Sequence, residues 1–152
     1  IEKHARKGDP TAYKFPRSMP RELNFSFSGL KTAVRYALPK VVDLDAELSN
    51  LCASFQQAVI DVLVDKSLRA SSKTGAKLIT LSGGVSCNSA LRTALQQACE
   101  SHGLQFLACP IRFSTDNAAM IAFAGLLRFR QGFRSDFTED IDPNLVLCEP
   151  HP

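Results

Sequence analysis

Two short apolar segments, each followed by a turn and a helix, constrain the fold of this chain more than any other feature. The first, 77–81, is aliphatic and β-branched, which favours a strand buried on both faces of a parallel sheet. A predicted helix over 89–102 connects it to the second, 105–109, and another helix follows over 116–130. This order predicts a right-handed βαβ unit of the α/β class. Ligands of such sheets bind at the carboxyl ends of the strands, so the two turns are the candidate functional segments.

A long helix precedes this unit. It is predicted to start after Asp43 or Asp45 as the capping residue and to reach roughly to Lys73, with Thr74-Gly75 at its end. A single apolar stripe at steps of three or four residues predicts one buried face: Leu44, Leu48, Leu51, Phe55, Val59 and Val62. The helix over 116–130 is apolar almost all round, so we expect it to be buried in one core with the long helix and the strands.

Residues 24–28 alternate polar and aromatic side chains, which predicts a half-buried strand before a helix over 30–38. We expect Ser28 to cap that helix and Lys31 to be a solvated lysine of its first turn. The two aromatic residues near Lys31 could instead hold a nucleotide by stacking, but the pattern alone favours the structural interpretation.

The composition narrows the class of protein without identifying its chemistry. The 152 residues are 45% hydrophobic and 22% charged, as in an ordinary globular domain, and this excludes intrinsic disorder. No apolar run approaches the roughly 18–20 residues of a membrane span, and the first residues do not show the charged-then-apolar pattern that is typical of a signal peptide. The net charge of +3 is too small to indicate nucleic-acid binding by itself. We therefore expect a soluble, cytoplasmic protein that does not bind membranes.

The cysteines and histidines argue against a self-contained metal centre. Five cysteines, an odd number without a C-x-x-C pair, fit free thiols in a reducing compartment better than disulfides or a zinc site. The three histidines, His4, His102 and His151, are isolated from one another in the sequence. The chain also begins at Ile1 without an initiator methionine, so we expect it to be part of a longer protein.

The first candidate segment is the turn after the first strand, residues 82–88. Gly83 and Gly84 let the backbone approach a ligand, and the helix that follows offers backbone N–H groups to an anion. Asn88 carries both a donor and an acceptor at the start of that helix. The alternative is structural, with a tight glycine turn followed by Ser86 or Asn88 as a helix cap. The local pattern leaves both interpretations open.

The second candidate segment, residues 113–117, follows the second strand. Asp116 lies at the predicted start of a helix, where a carboxylate normally acts as a cap. It is also a hard oxygen ligand at the sheet edge that should carry Asn88. One carboxylate does not make a metal site, so capping is favoured from this pattern alone.

Four collinear motifs between residues 25 and 122 carry the strongest signal in the chain. They are Phe25-Ser26-Phe27-Ser28-Gly29-Leu30-Lys31-Thr32; Ser54-Phe55-Gln56; Ser82-Gly83-Gly84-Val85-Ser86-Cys87-Asn88 with Leu91-Arg92; and Ser114-Thr115-Asp116-Asn117-Ala118-Ala119-Met120-Ile121-Ala122. In this order they resemble the TsaD family, the tRNA N6-adenosine threonylcarbamoyltransferases formerly labelled O-sialoglycoprotein endopeptidases. The tail after about Arg134 carries little of the resemblance.

The resemblance implies an α/β fold of the RNase H-like type, one lobe of the actin, Hsp70 and sugar-kinase (ASKHA) superfamily. Its sheet would be mostly parallel and flanked by helices. Residues 1–134 would form the second, carboxyl-terminal lobe, and residues 135–152 a surface tail. Most of the first lobe would be missing, so we expect the chain to fold but not to catalyse alone.

The activity implied is transfer of the threonylcarbamoyl group from threonylcarbamoyl-AMP to N6 of the adenosine beside the anticodon of tRNA. Asn88, with Gly83 and Gly84, would bind this adenylate, and Asp116 would bind one divalent ion, iron or zinc. Two further ligands, histidines of an H-x-x-x-H helix, would lie outside this chain. The resemblance also implies TsaB-like and TsaE-like companion proteins, and it assigns no catalytic residue here.

Three other functions fit the sequence less well. A metalloprotease, the family's former label, would need a motif such as an H-E-x-x-H helix, which does not occur. A sugar or acetate kinase of the same superfamily has no use for a metal-binding acid in the Ser114–Asn117 motif. A non-catalytic ASKHA-fold partner lacks that acid, so Asp116 argues against it. Cys87, where the family often has alanine, is a small-for-small change that we expect to be tolerated.

Overall fold

The computed structural model describes residues 1–138 and 140, and the chain divides into two compact units between Thr115 and Asp116. The first unit contains, in chain order, α1 (Glu2–Ala5), α2 (Ser28–Ala37), α3 (Leu44–Thr74), β1 (Leu78–Leu81), α4 (Ser89–Ser101) and β2 (Gln105–Ala108). The second contains α5 (Ala118–Arg130). Short 3₁₀ turns lie at Leu38–Lys40, Gly84–Cys87 and Ile111–Phe113. Among the helices of the described residues, none has the length and apolar character of a membrane span.

The long helix α3 begins and ends where the sequence predicts. The carboxylate of Asp43 accepts a hydrogen bond from the backbone N–H of Ala46 at 3.1 Å. Gly75 ends the helix with a φ of 73°, a left-handed conformation that glycine adopts without strain. The prediction of a single buried stripe is wrong, because α3 packs against α1 and α2 as well as against α4 and β1. A helix in the middle of a unit buries more than one face.

Two apolar clusters form the core of the first unit, and α3 contributes to both. The first cluster joins α3 to α2 and the segment before it, and its buried residues are Phe15, Leu30, Leu51 and Ala58. The second joins α3 to α4 through Ile60, Leu91 and Leu95. Cys99 is the third buried residue of α4, and the neighbouring Ala98 is half-buried.

The segment before α2 is held on α3 by hydrogen bonds and by close packing. The buried hydroxyl of Ser54 donates to the carbonyl of Asp9 at 3.1 Å and accepts from the backbone N–H of Tyr13 at 3.0 Å. A Cβ on Gly8 would lie 2.0 Å from the carbonyl oxygen of Ser49. Only glycine at this position therefore allows the backbone of the segment to approach α3 this closely. Ser54 of the second motif therefore has a structural role.

Strands β1 and β2 pair in parallel, as predicted, with Leu78 opposite Gln105 and Leu81 opposite Ala108. Exposed and half-buried residues alternate along both strands. The half-buried face packs on the second apolar cluster through Leu81 and Phe106. The expectation that the first strand is buried on both faces is wrong for the described chain, because its other face is exposed.

No strand forms over residues 24–28 in the part of the chain that the structure describes, so that prediction is wrong. Instead, the ammonium of Lys66 donates a hydrogen bond to the carbonyl of Asn24 and lies 5.4 Å from the ring centre of Phe25. Helix α2 begins at Ser28 after Phe27, without a side-chain cap, so Ser28 does not cap it. Lys31 is exposed, as expected for a solvated lysine.

Helix α5 differs most from its sequence expectation. None of its residues is buried, and Ile121 and Phe123 are 75% and 63% exposed. The expected burial of this helix in a single shared core is therefore wrong for the described chain. A helix that is apolar all round becomes buried only where other elements cover it on every side. The proposed lobe boundary at 134 stays a prediction, and most of the tail, residues 139 and 141–152, lies outside the described residues.

Candidate functional site

The first turn, residues 82–88, keeps open space beside its two glycines. Gly83 has a φ of 89° and a ψ of 169°, a combination that is essentially restricted to glycine. Gly84 begins the 3₁₀ turn that leads towards α4. A Cβ added at either glycine would have no atom of the described chain within 4 Å beyond its own neighbours. A ligand can therefore approach the backbone of this turn closely.

Asn88 caps helix α4 and is also bound to α3. Its side-chain oxygen Oδ1 accepts a hydrogen bond from the backbone N–H of Leu91 at 2.9 Å. Its amide nitrogen Nδ2 donates to Oε1 of Gln56 at 2.7 Å. The structural interpretation of Asn88 as a helix cap is confirmed, and Ser86 is not the cap. The amide keeps one more lone pair and one more N–H with which it could bind a ligand.

The start of α4 is already occupied by a carboxylate of the chain itself. Oε1 of Glu2 accepts hydrogen bonds from the hydroxyl and the backbone N–H of Ser89, the latter at 3.1 Å, and from the guanidinium of Arg6 at 3.0 Å. These hydrogen bonds, first from Ser89 and then from Arg6, hold the pKa of Glu2 below its usual value. The expectation that this helix offers free N–H groups to an anion is therefore wrong for Ser89 and Leu91. The glycine backbone remains the open part of the turn.

Arg92 ties the first turn to the end of β2. Its Nε donates to the carbonyl of Ser86 in the turn. Its Nη2 donates to the carbonyl of Cys109 at 2.7 Å and lies 3.4 Å from the hydroxyl of Ser114. The half-buried guanidinium of Arg92 therefore links the first turn to the segment that follows β2.

Ser86 adds one buried polar atom to the first turn. Its hydroxyl has no hydrogen-bond partner among the described residues, and the residue is only 1% exposed. A buried hydroxyl without a partner typically costs about 1–3 kcal/mol of stability.

In the second turn, the helix cap and the candidate metal ligand are different residues. Asn117 is the cap of α5, and its Oδ1 accepts a hydrogen bond from the backbone N–H of Met120 at 3.0 Å. The interpretation of Asp116 as the helix cap is therefore wrong. Its carboxylate is exposed and makes no hydrogen bond or ion pair with the described residues. Asp116 is thus available as a ligand.

The described residues contain no group of three or more potential metal ligands. Asp116 fits a divalent ion as one oxygen ligand, but a complete centre would need groups beyond those that the structure describes. The prediction of free thiols is confirmed for Cys52, Cys87, Cys99 and Cys109, and Cys148 lies outside the described residues. Burial raises the pKa of the Cys99 thiol.

The structure brings Gly83, Gly84 and Asn88 together in one turn, as predicted. Asp116 is the first residue of the second unit, so its expected closeness to Asn88 stays a prediction. Sequence reasoning assigned no role to Gln56 or Arg92, although both lie within the motifs that carry the family resemblance.

Comparisons with known proteins agree on one family. A family model described as TsaD, tRNA N6-adenosine threonylcarbamoyltransferase, matches residues 1–123. Curated proteins that carry this same enzyme name are similar over most of the chain. The Thermosipho africanus protein is 42% identical over 149 residues, 97% of this chain and 45% of its own length. The Agrobacterium fabrum protein is 43% identical over 91% of this chain and 41% of its own length. The Salinibacter ruber protein is 43% identical over 97% and 46%. The chain therefore spans less than half the length of these relatives.

Proposed function

The chain belongs to the TsaD family, and on that premise we propose that it takes part in threonylcarbamoyl transfer to tRNA. The group would pass from threonylcarbamoyl-AMP to N6 of the adenosine beside the anticodon. The observation that carries the proposal is the family match over residues 1–123, which includes both candidate turns. In this proposal residues 1–134 belong to the second of two ASKHA lobes, which would face a first lobe across the substrate cleft.

The first turn would hold the adenylate. The space beside Gly83 and Gly84 is open, so a phosphate or ribose can reach the backbone without meeting a Cβ. Asn88 is fixed by Leu91 and Gln56, and a side chain that is held in place loses little freedom when it binds a ligand. Its remaining donor and acceptor suit a ribose hydroxyl or a carbamoyl group.

Asp116 would bind one divalent metal ion, iron or zinc, together with two ligands from outside this chain. The support is chemical, because the carboxylate is exposed and not engaged by the described residues. When bound, such an ion would polarise the carbamoyl carbonyl towards attack by the adenine amine. We also propose TsaB-like and TsaE-like companion proteins and a cytoplasmic place of action.

The test compares residues 1–152 with the full-length protein that contains them. Each is supplied with threonylcarbamoyl-AMP, a cognate tRNA and the companion proteins, and transfer to tRNA is measured. We expect transfer by the full-length protein and none above background by residues 1–152, because a lone carboxylate binds a divalent ion weakly. Absence of transfer by the full-length protein would contradict the proposed function. Transfer by residues 1–152 alone would contradict the placement of the metal and of the missing lobe.

A further inference from the structure

Positive charge is concentrated in the first quarter of the chain. Residues 1–40 contain nine lysines and arginines and three acids, whereas the other residues contain nine and twelve. The net charge of +3 is therefore the sum of a strongly basic segment, residues 1–40, and a mildly acidic segment, residues 41–152. A segment of this kind attracts polyanions.

A groove in this basic segment combines lysines with aromatic rings. The groove, of about 290 Å³, lies between residues 13–15 and helix α2. Its lining includes Tyr13, Lys14, Tyr36 and Lys40, and no acidic side chain of the described residues lines it. The two lysines are exposed, and Tyr36 is 68% exposed.

The wall of this groove is fixed before any ligand arrives. The rings of Tyr13 and Phe15 are stacked, with centres 5.9 Å apart and planes 13° from parallel. The hydroxyl of Tyr13 donates to Glu47 at 2.9 Å, and the same carboxylate accepts from Asn50 at 3.2 Å. The carboxylate of Glu47 is thus engaged by Tyr13 and Asn50 and does not line the groove, whose charged lining side chains are Lys14 and Lys40.

We propose that this groove, the Lys14–Lys40 groove, binds an unpaired segment of RNA. The two ammonium groups would contact backbone phosphates, and one base would stack on the exposed ring of Tyr36. Lysines beside an exposed ring are the combination by which proteins bind single strands. This inference rests on the proposed function, in which the substrate is tRNA. An acidic protein segment would use the lysines but has less use for the ring.

A larger cavity in the described chain fits this role less well. It has a volume of about 630 Å³ and is lined by Arg21, Arg69 and Lys73, but also by Glu22. Arg69 is engaged by the carboxylate of Asp65 at 3.3 Å and by a backbone carbonyl. The charge of Arg69 is therefore partly compensated. The lining of the cavity contains no aromatic ring.

The experiment measures the affinity of residues 1–152 for a labelled cognate tRNA by fluorescence anisotropy over a range of salt concentrations. The Lys14→Ala/Lys40→Ala variant should bind at least tenfold more weakly at low salt. Its slope of log affinity against log salt should be smaller by about 1.4, as expected for two lost single-strand phosphate contacts. The matched control, Lys3→Ala/Lys77→Ala, removes two exposed lysines outside the groove and should stay within twofold of the parent. Circular dichroism checks that every variant is folded.

Substitutions of Tyr36 separate stacking from charge. Tyr36→Ala should weaken tRNA binding about tenfold, the scale of one lost stacked base, whereas Tyr36→Phe should stay within twofold. The proposal is overturned if the parent chain does not bind tRNA, or if the groove and control lysine variants bind equally. It is also overturned if polyglutamate binds as tightly as tRNA and Tyr36→Ala changes neither affinity, because the groove would then take an acidic protein.

The transfer assay of the full-length protein distinguishes this inference from the proposed function. If the full-length protein transfers the group and the lysine variant has the same KM for tRNA as the parent, the proposed RNA binding by the groove is overturned. The proposed function is then unaffected. Binding of tRNA that depends on the groove, without any transfer, would support the groove and contradict the function.

Discussion

The turns after β1 and β2 each place an asparagine before a helix, yet they use their neighbouring side chains differently. In the first turn, Asn88 caps α4 and also donates to Gln56 of α3, so the candidate ligand-binding group is part of the framework. In the second, Asn117 caps α5, and the exposed carboxylate of Asp116 takes no part in the framework that the structure describes. The difference teaches that substitution of Asn88 should affect both folding and binding. Substitution of Asp116 should affect binding alone.

Loss of Arg92 should give the largest effect, because this residue holds the first turn to the end of β2. Arg92→Ala leaves the carbonyls of Ser86 and Cys109 without their guanidinium donor. We expect the free energy of unfolding to fall by about 3 kcal/mol, since hydrogen bonds to charged groups are the stronger ones. Urea denaturation of residues 1–152 measures it. The control is Arg112→Ala, which removes an exposed guanidinium beside Phe113, and an equal loss in both variants would contradict the role of Arg92.

The two glycines of the first turn should differ from each other. Gly83→Ala places a Cβ on a backbone with φ of 89°, which should cost about 2 kcal/mol of stability. Gly84→Ala has an ordinary backbone and open space around the new Cβ, so its stability should change by less than about 0.5 kcal/mol. In the full-length protein, both variants should bind the adenylate more weakly. Equal stabilities of the two variants would show that the turn is not held as described.

Substitution of Asn88 should lower stability by less than substitution of Arg92 or Gly83. The loss should be divided between the two hydrogen bonds of Asn88. Asn88→Ala loses the cap and the bond to Gln56, which should cost about 1.5 kcal/mol. Asn88→Ser retains a capping oxygen and should recover about half of this. Calorimetry of the full-length protein should show weaker binding of the adenylate to both variants. Unchanged affinity would leave Asn88 with its structural role alone.

Much of the framework could be predicted from the sequence, because its signals are local. The capping acids Asp43 and Asp45, the Thr74-Gly75 pair and the two short aliphatic segments are each local signals, and they correctly predicted α3, β1 and β2. The strand over 24–28 was wrong because alternation of residue types does not show whether a partner strand is present, and Phe25 is 52% exposed. Those residues are held by Lys66 of α3 and have no partner strand in the described chain.

The sequence predicted which residues form the candidate site, but it did not predict which other groups contact them. The motif pattern identified the first turn, yet nothing local could show that Glu2 reaches Ser89, 87 residues away in sequence. At the second turn, capping by Asn117 instead of Asp116 depends on where the helix begins, a boundary that patterns locate only to within a few residues. Helix α5 shows the same limit, since its apolar composition predicts burial without saying what covers it.

The central claim is that this chain supplies a metal ligand which has no structural role, and Asp116→Asn in the full-length protein tests it most directly. Thermal unfolding is measured on metal-free protein, and bound metal per protein and threonylcarbamoyl transfer to tRNA are measured after metal is supplied. We predict an unchanged melting temperature of the metal-free protein, because Asn117 keeps the cap, together with loss of metal binding and of transfer. A variant that keeps the metal content and the transfer rate of the parent would contradict the account.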